Sequence, residues 1–135
     1  MPVPLVGRPA TAARRSRIRY RPLPMIELDH FLRVNMRVGR ILAAEPFPEA
    51  RKPAYKLRID FGPELGERVS SAQLTVTYPD PGPLVGRLVV AVVNFPPRCI
   101  AGFKSEVLVL GAVGPEGEVN LLTPDEGSRP GQRVA

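Results

Sequence analysis

The chain contains 135 residues, of which 44% are hydrophobic and 24% charged, values that are typical of a single globular domain. Its longest apolar stretches, residues 88–93 and 107–113, are far shorter than the ~20 residues of a membrane-spanning helix. One cysteine, Cys99, and one histidine, His30, exclude an internal disulfide and a cysteine-based metal cage. We therefore expect a cytoplasmic protein with no membrane insertion, no metal and no cofactor.

The formal net charge of +6 is concentrated near the N-terminus. Residues 1–24 contain six arginines and no acidic residue, and the other 13 basic residues are balanced by 13 acidic ones. The same stretch contains five prolines and no regular apolar spacing, which is typical of a disordered tail. We predict that the folded domain comprises residues 25–135. The tail could also arise from a start site upstream of the true one at Met25, or it could be an arm that binds RNA.

The first half of the predicted domain contains three strands. Residues 29–32 predict a helical turn that leads into a strand over residues 36–44. Residues 55–61 alternate strictly between apolar and polar side chains, which predicts a second strand with one buried face. After the turn signal Gly62-Pro63, residues 67–70 predict the returning strand of an antiparallel hairpin.

The second half of the domain begins with a short helix, predicted from about Ser71 to the residue before Tyr78. Residues 88–95 and 106–113 are apolar runs that indicate strands buried on both faces, and residues 119–122 predict a last strand. The predicted fold class is therefore all-β, a small OB-type Greek-key barrel with one short helix between strands 3 and 4 and an N-terminal helical turn. Two such apolar strands in one small barrel also predict a homodimer, because a second copy would cover surplus apolar surface.

No residues show the spacing of a catalytic centre, and we expect no enzyme. The one covalent arrangement that the composition allows pairs Cys99 with His30, and nothing in the sequence brings the two together.

The loop over residues 94–105 combines two aromatic residues, two cations and several hydrogen-bonding groups between two apolar strands. Such a mixture clamps phosphates and stacks bases on OB surfaces. The alternative is a rigid connection in which Phe95 and Phe103 fill the core and Arg98 and Lys104 are solvated. The exposed face of the second strand adds two further candidates for RNA binding, Lys56 and Arg58.

The segment VVNFPPRCIAGFKSEVLVLG, residues 92–111, resembles the signature of the CsaA family of export-related chaperones, part of the wider tRNA-binding domain family. Further similarity lies in FLRVNMRVGRI (31–41), FPEARKPAYKLRIDFG (47–62), SSAQLT (70–75) and PDEGSRPGQRV (124–134). The resemblance implies an OB barrel, a homodimer, and tRNA and unfolded preproteins as partners.

Carried over residue by residue, the resemblance implies RNA-facing roles for Ser71, Gln73, Asn94, Arg98, Lys104 and Ser105. The chain departs from the family pattern at Asn35, where Asp is usual, and at Cys99, where CsaA-like sequences usually have a basic residue. The second departure removes a cation from the expected RNA surface. Two functions stay open: a tRNA-binding protein that also acts as a chaperone for exported preproteins, and a preprotein-binding chaperone of protein secretion with no role for RNA.

Overall fold

The computed structural model describes residues 21–135, and within them it contains nine strands, two short helices and one 3-10 turn. In chain order the elements are α1 (Leu28–Leu32), β1 (Met36–Pro46), β2 (Tyr55–Asp60), α2 (Gly62–Leu65), β3 (Glu67–Ala72), a 3-10 turn (Gly82–Leu84), β4 (Leu88–Val92), β5 (Arg98–Ile100), β6 (Phe103–Ser105), β7 (Leu108–Val109), β8 (Gly111–Val113) and β9 (Val119–Leu121). Five strands form an antiparallel sheet in the order β3-β2-β1-β4-β7. Its two edge strands, β3 and β7, touch each other, so the sheet nearly closes into a barrel. The predicted all-β fold of OB type is confirmed.

The long strand β1 pairs with strands on both sides of it in the sheet. Its first half pairs with β4 and its second half pairs with β2, with a register shift between Ile41 and Ala43 that bends the strand. Strand β1 contains a buried glycine, Gly39. A Cβ atom at this position would lie 2.6 Å from Cγ2 of Ile59. Glycine is needed at this position because the β2 side chains approach the β1 backbone so closely.

The core consists of the side chains that the alternating pattern places inside. Tyr55, Leu57 and Ile59 are buried, whereas Lys56 and Arg58 lie on the opposite face of β2, as predicted. All residues of β4 are buried, as predicted, but the strand ends at Val92 and Phe95 is exposed. Alternate residues of β4 belong to the core cluster, and the residues on its other face are buried as well.

The helix predicted from Ser71 is not formed, and this part of the prediction is corrected. Strand β3 continues to Ala72, and a single turn follows in which the Tyr78 N–H donates to the Leu74 carbonyl at 2.9 Å. The β-branched residues 75–77 disfavour a longer helix, and the prolines that follow end it. The short helix α2, which carries a proline in its first turn, was not predicted.

The second apolar run is not one buried strand, in contrast to the prediction. It divides into β7 and β8, and Leu108 and Val113 are 46% and 72% exposed. The division occurs because β7 pairs with β4, whereas Gly111 turns away to pair with Leu121 in a separate two-stranded ribbon. The apolar surface at β7 and β8 is therefore open in a single copy of the chain.

The predicted N-terminal helical turn is confirmed as α1. It is capped by a hydrogen bond from the Glu27 N–H to Nδ1 of His30 (3.0 Å), and none of its residues is buried. No helix within residues 21–135 has both the length and the hydropathy needed to cross a membrane. Most of the predicted disordered tail, residues 1–20, lies outside the described residues.

Candidate nucleic-acid interface

The loop singled out in the sequence forms a β-hairpin of β5 and β6. Its turn consists of Ala101 and Gly102, both with positive φ (46° and 81°), and its register pairs Arg98 with Ser105 and Cys99 with Lys104. Because side chains alternate along a strand, Arg98 and Ser105 share one face and Lys104 lies on the other. The three candidates Arg98, Lys104 and Ser105 thus lie on one hairpin, with Lys104 on the face opposite the other two.

The hairpin is fastened to the outer edge of β3. The Ser71 N–H donates to Oγ of Ser105, which is 8% exposed, and the Val69 N–H donates to Oε1 of Glu106, both at 2.9 Å. The Glu106 N–H also donates a hydrogen bond to the Val69 carbonyl at 2.8 Å. These bonds satisfy backbone groups that an edge strand would otherwise expose, and they hold the hairpin in a fixed orientation.

An aromatic pair joins the hairpin to the β1–β2 loop. The rings of Phe47 and Phe103 meet edge to face with centroids 5.4 Å apart. Nζ of Lys56 lies 4.7 Å and 5.1 Å from these two centroids, within cation–π distance of both. The ammonium group of Lys56, a predicted RNA contact, therefore lies over two rings of the protein itself.

We expect Lys56→Met to lower the free energy of unfolding by about 1 kcal/mol, because it removes the ammonium group above both rings and keeps the aliphatic part of the side chain. Lys104→Met is the matched control, since Lys104 is exposed. Urea denaturation of both variants measures the difference. Equal midpoints for the two variants would show that the cation–π interactions contribute nothing.

Two adjoining pockets open where the hairpin meets β3 and β7. Their volumes are about 270 and 350 Å³, and they share Ser71, Arg98 and Leu108 in their walls. Four of the eight predicted site residues line one or both pockets: Ser71, Gln73, Arg98 and Ser105. The structure therefore brings half of the predicted set to one seam of the barrel.

The other predicted residues have separate environments. Arg58 forms an ion pair with Glu67 at 2.9 Å on the half-exposed face of β2 and β3. The side-chain amide of Asn94 accepts from the Asn35 N–H and donates to the Arg33 carbonyl, both at 2.9 Å, so it fastens the segment before β1. The carbonyl of the Asn35 side chain accepts from Nε of Arg37 at 2.8 Å, a bond that the family's usual Asp could equally accept.

Sequence reasoning missed two features of this surface. Phe47 and Glu106 fasten the hairpin through interactions between residues far apart in the chain, for which the sequence carries no local signal. Arg51 and Lys52 are exposed in the β1–β2 loop. Their signal was present in the sequence, because two adjacent cations between Pro48 and Pro53 are typical of a rigid, charged loop.

Comparison with known proteins agrees with this geometry. Residues 36–133 match the sequence profile of the family described as "Putative tRNA binding domain". The structure is similar to the chaperone CsaA of Bacillus anthracis str. Ames, with 50% identity, a TM-score of 0.78, and coverage of 83% of this chain and 100% of that one. For the CsaA chaperone protein of Picrophilus torridus the identity is 49%, the TM-score 0.75, and the coverage 82% and 100%.

Among curated proteins, the methionine–tRNA ligase of Acidithiobacillus ferrooxidans is 44% identical over 111 residues, which are 82% of this chain and 16% of that enzyme. The chain thus spans a small part of the length of such relatives. It belongs to the tRNA-binding domain family, and its resemblance to CsaA is confirmed. The domain that matches is a binding domain and not a catalytic one.

Proposed function

We propose that the chain binds tRNA non-covalently in the cytoplasm, through the hairpin of β5 and β6 and the adjoining seam of the barrel. The observation that carries this proposal is the position of Arg98. Its side chain is exposed at the wall of both pockets, on a hairpin fixed by β3, and it forms no ion pair with any of the described residues. A cation aimed by a rigid strand loses little entropy when it contacts a phosphate.

This surface is suited to recognise the shape of a folded RNA and not a particular nucleotide sequence. Double-stranded RNA is recognised through its phosphates and 2′-hydroxyl groups, and single-stranded loops through their exposed bases. Arg98 and Lys104 on the two faces of one hairpin can contact phosphates that a stem and its adjoining loop present together. The exposed Arg51 and Lys52 extend the same basic surface along the β1–β2 loop.

Filter binding of total tRNA at two salt concentrations tests the proposal. Affinity for RNA should fall steeply as salt rises, because each neutralised phosphate releases counterions. Affinity that is unchanged by salt would overturn the proposal, since apolar binding is not weakened by added salt.

A chaperone activity towards unfolded preproteins is the second candidate. Its support is the apolar wall of the first pocket, which includes the exposed side chains of Phe95 and Leu108, together with the similarity to two proteins named as CsaA chaperones. If this is the whole function, an unfolded preprotein should bind with little salt dependence and tRNA should not compete with it.

We expect the chain to form a homodimer. Strand β4, which the apolar pattern also assigned to the interface, is covered within one copy, so that part of the expectation is wrong. Exposed apolar side chains in α1, just before it and in β8 remain available for an interface, among them Met25, Ile26, Leu28, Leu32 and Val113. Burying a patch of standard interface size at ~25 cal/mol per Å² would offset the cost of association. Sedimentation equilibrium at micromolar concentration should give twice the mass of one chain, and a single-chain mass would contradict the expectation.

A further inference from the structure

We propose that the pocket beside Phe95 holds one unpaired base of the bound RNA. In this proposal Phe95 stacks on the base, Arg98 contacts the neighbouring phosphate, and Glu106 accepts hydrogen bonds from the edge of the base. The inference rests on the proposed tRNA binding and deepens it, because it assigns a site for one base within a surface otherwise defined by phosphate contacts.

Phe95 is the aromatic residue of the loop whose ring is accessible to a ligand. Its side chain is 49% exposed and lines the pocket, whereas Phe103 packs against Phe47 and Lys56. Pro96 and Pro97 follow directly and restrict the backbone, so the main chain that carries the ring has few conformations open to it. An exposed, pre-positioned aromatic ring is the platform on which RNA bases stack.

The pocket next to this ring has room for a flat ring system. Its volume of about 270 Å³ is many times the ~30 Å³ that one water molecule occupies. Ile100, Val107 and Leu108 supply apolar walls, and Arg98 stands among the lining residues as an exposed cation. A base in the pocket would thus have apolar surface against its faces and a cation near its phosphate.

Glu106 favours a base over a phosphate in the pocket itself. Oε1 of this half-buried carboxylate accepts from the Val69 N–H, and Oε2 has no hydrogen-bond partner within residues 21–135. A carboxylate repels phosphate but accepts from the amino and imino groups of bases. Guanine presents two such donors side by side, so we expect the pocket to prefer guanine.

The stacking part is tested with Phe95→Leu, which keeps apolar volume but removes the aromatic face, and with Phe95→Trp, which retains it. Loss of one stacked base should weaken binding of total tRNA roughly 5- to 150-fold for Phe95→Leu, with an unchanged salt slope. Phe95→Trp should bind within a few-fold of the parent. Val85→Ala, at an exposed apolar residue that lines neither pocket, is the control, and urea denaturation checks that all variants are folded.

The predicted hydrogen bonds between Glu106 and the base are tested with two 12-nucleotide single-stranded RNAs. One alternates guanosine and uridine, and the other has inosine in place of guanosine. Inosine lacks the amino group, so the parent should bind the guanosine strand several-fold more tightly. Glu106→Gln, which can still accept from the Val69 N–H, should remove that preference. Equal binding of the two strands by the parent, or no binding of either, would overturn this assignment.

Failure of the inference and failure of tRNA binding give different results. If Phe95→Leu binds tRNA like the parent while Arg98→Ala binds it more weakly, the base pocket is wrong and the phosphate surface stands. If Phe95→Leu loses an unfolded preprotein and keeps tRNA, the pocket is a peptide site. If neither variant changes tRNA binding and salt has no effect, the proposed function itself is wrong.

Discussion

Replacing Arg98 with alanine is expected to weaken binding of total tRNA roughly tenfold or more, with little change in the midpoint of unfolding. A charge-assisted hydrogen bond contributes about 1.5 to 3 kcal/mol, and Arg98 is exposed and free of an ion pair within residues 21–135. The plot of log affinity against log salt should become shallower by about 0.7 to 0.9 for each phosphate that the variant no longer neutralises. Filter binding at several salt concentrations measures both quantities.

Variants at other cations show whether the effect belongs to this hairpin. Lys104→Ala should lower the salt slope by a similar amount from the opposite face of the hairpin, and Cys99→Arg should tighten binding by restoring a cation beside Lys104. Arg129→Ala is the matched control, because Arg129 is exposed beside Phe61, at the other end of β2 from Lys56. If both alanine variants of the hairpin bind tRNA like the parent and lose an unfolded preprotein, the chaperone function replaces the RNA assignment.

Removing residues 130–135 is expected to lower the free energy of unfolding by about 3 kcal/mol. This segment pairs with the first half of β1, through bonds from the Val38 N–H to the Gln132 carbonyl, the Gly131 N–H to the Val38 carbonyl, and the Val134 N–H to the Met36 carbonyl (2.9, 2.8 and 2.9 Å). Nη1 of Arg37 also donates to the Gly131 carbonyl at 3.0 Å. Each backbone bond contributes about 1 kcal/mol after the hydration of the exposed groups is taken into account, so the three backbone bonds account for the expected loss.

Urea denaturation of the truncated chain measures this loss, and removal of Ala135 alone is the control because it leaves all these bonds in place. A truncated chain with the midpoint of the parent would show that the C-terminal pairing does not stabilise the barrel. Where the truncated chain is still folded, its affinity for tRNA should match that of the parent, since the segment lies away from the hairpin.

The parts of the fold that follow from local pattern could be predicted from the sequence. Strict alternation over residues 55–61 predicted the inside and outside of β2 correctly, because burial of one face of a strand requires that period. The helix predicted from Ser71 was wrong because Ser71 and Ala72 continue β3 and pair with β2, and long-range hydrogen bonds hold the residues that follow. Oγ of Thr77 accepts from the Val119 N–H, and the carbonyl of Tyr78 accepts from the Tyr55 hydroxyl.

The candidate site was only partly predictable for a different reason. Which face of the hairpin carries Arg98 depends on the register, and the register depends on a two-residue turn in which Ala101 adopts a positive φ that non-glycine residues rarely adopt. Lys56 could be placed on the outer face of β2, but the two rings beneath its ammonium group come from segments on either side of it in the chain. Residue type alone identified the basic candidates and could not assign their partners.

Hydrogen exchange of the protein with and without saturating tRNA tests the central claim most directly, because it maps the bound surface without any substitution. Backbone amides are followed by mass spectrometry of peptides that cover residues 47–56, 94–106 and 129–135. We predict that tRNA slows exchange in residues 94–106 and in the β1–β2 loop, and leaves residues 129–135 unchanged. Slower exchange confined to residues 129–135, or no change in residues 94–106, would contradict the assignment of the hairpin as the RNA-binding surface.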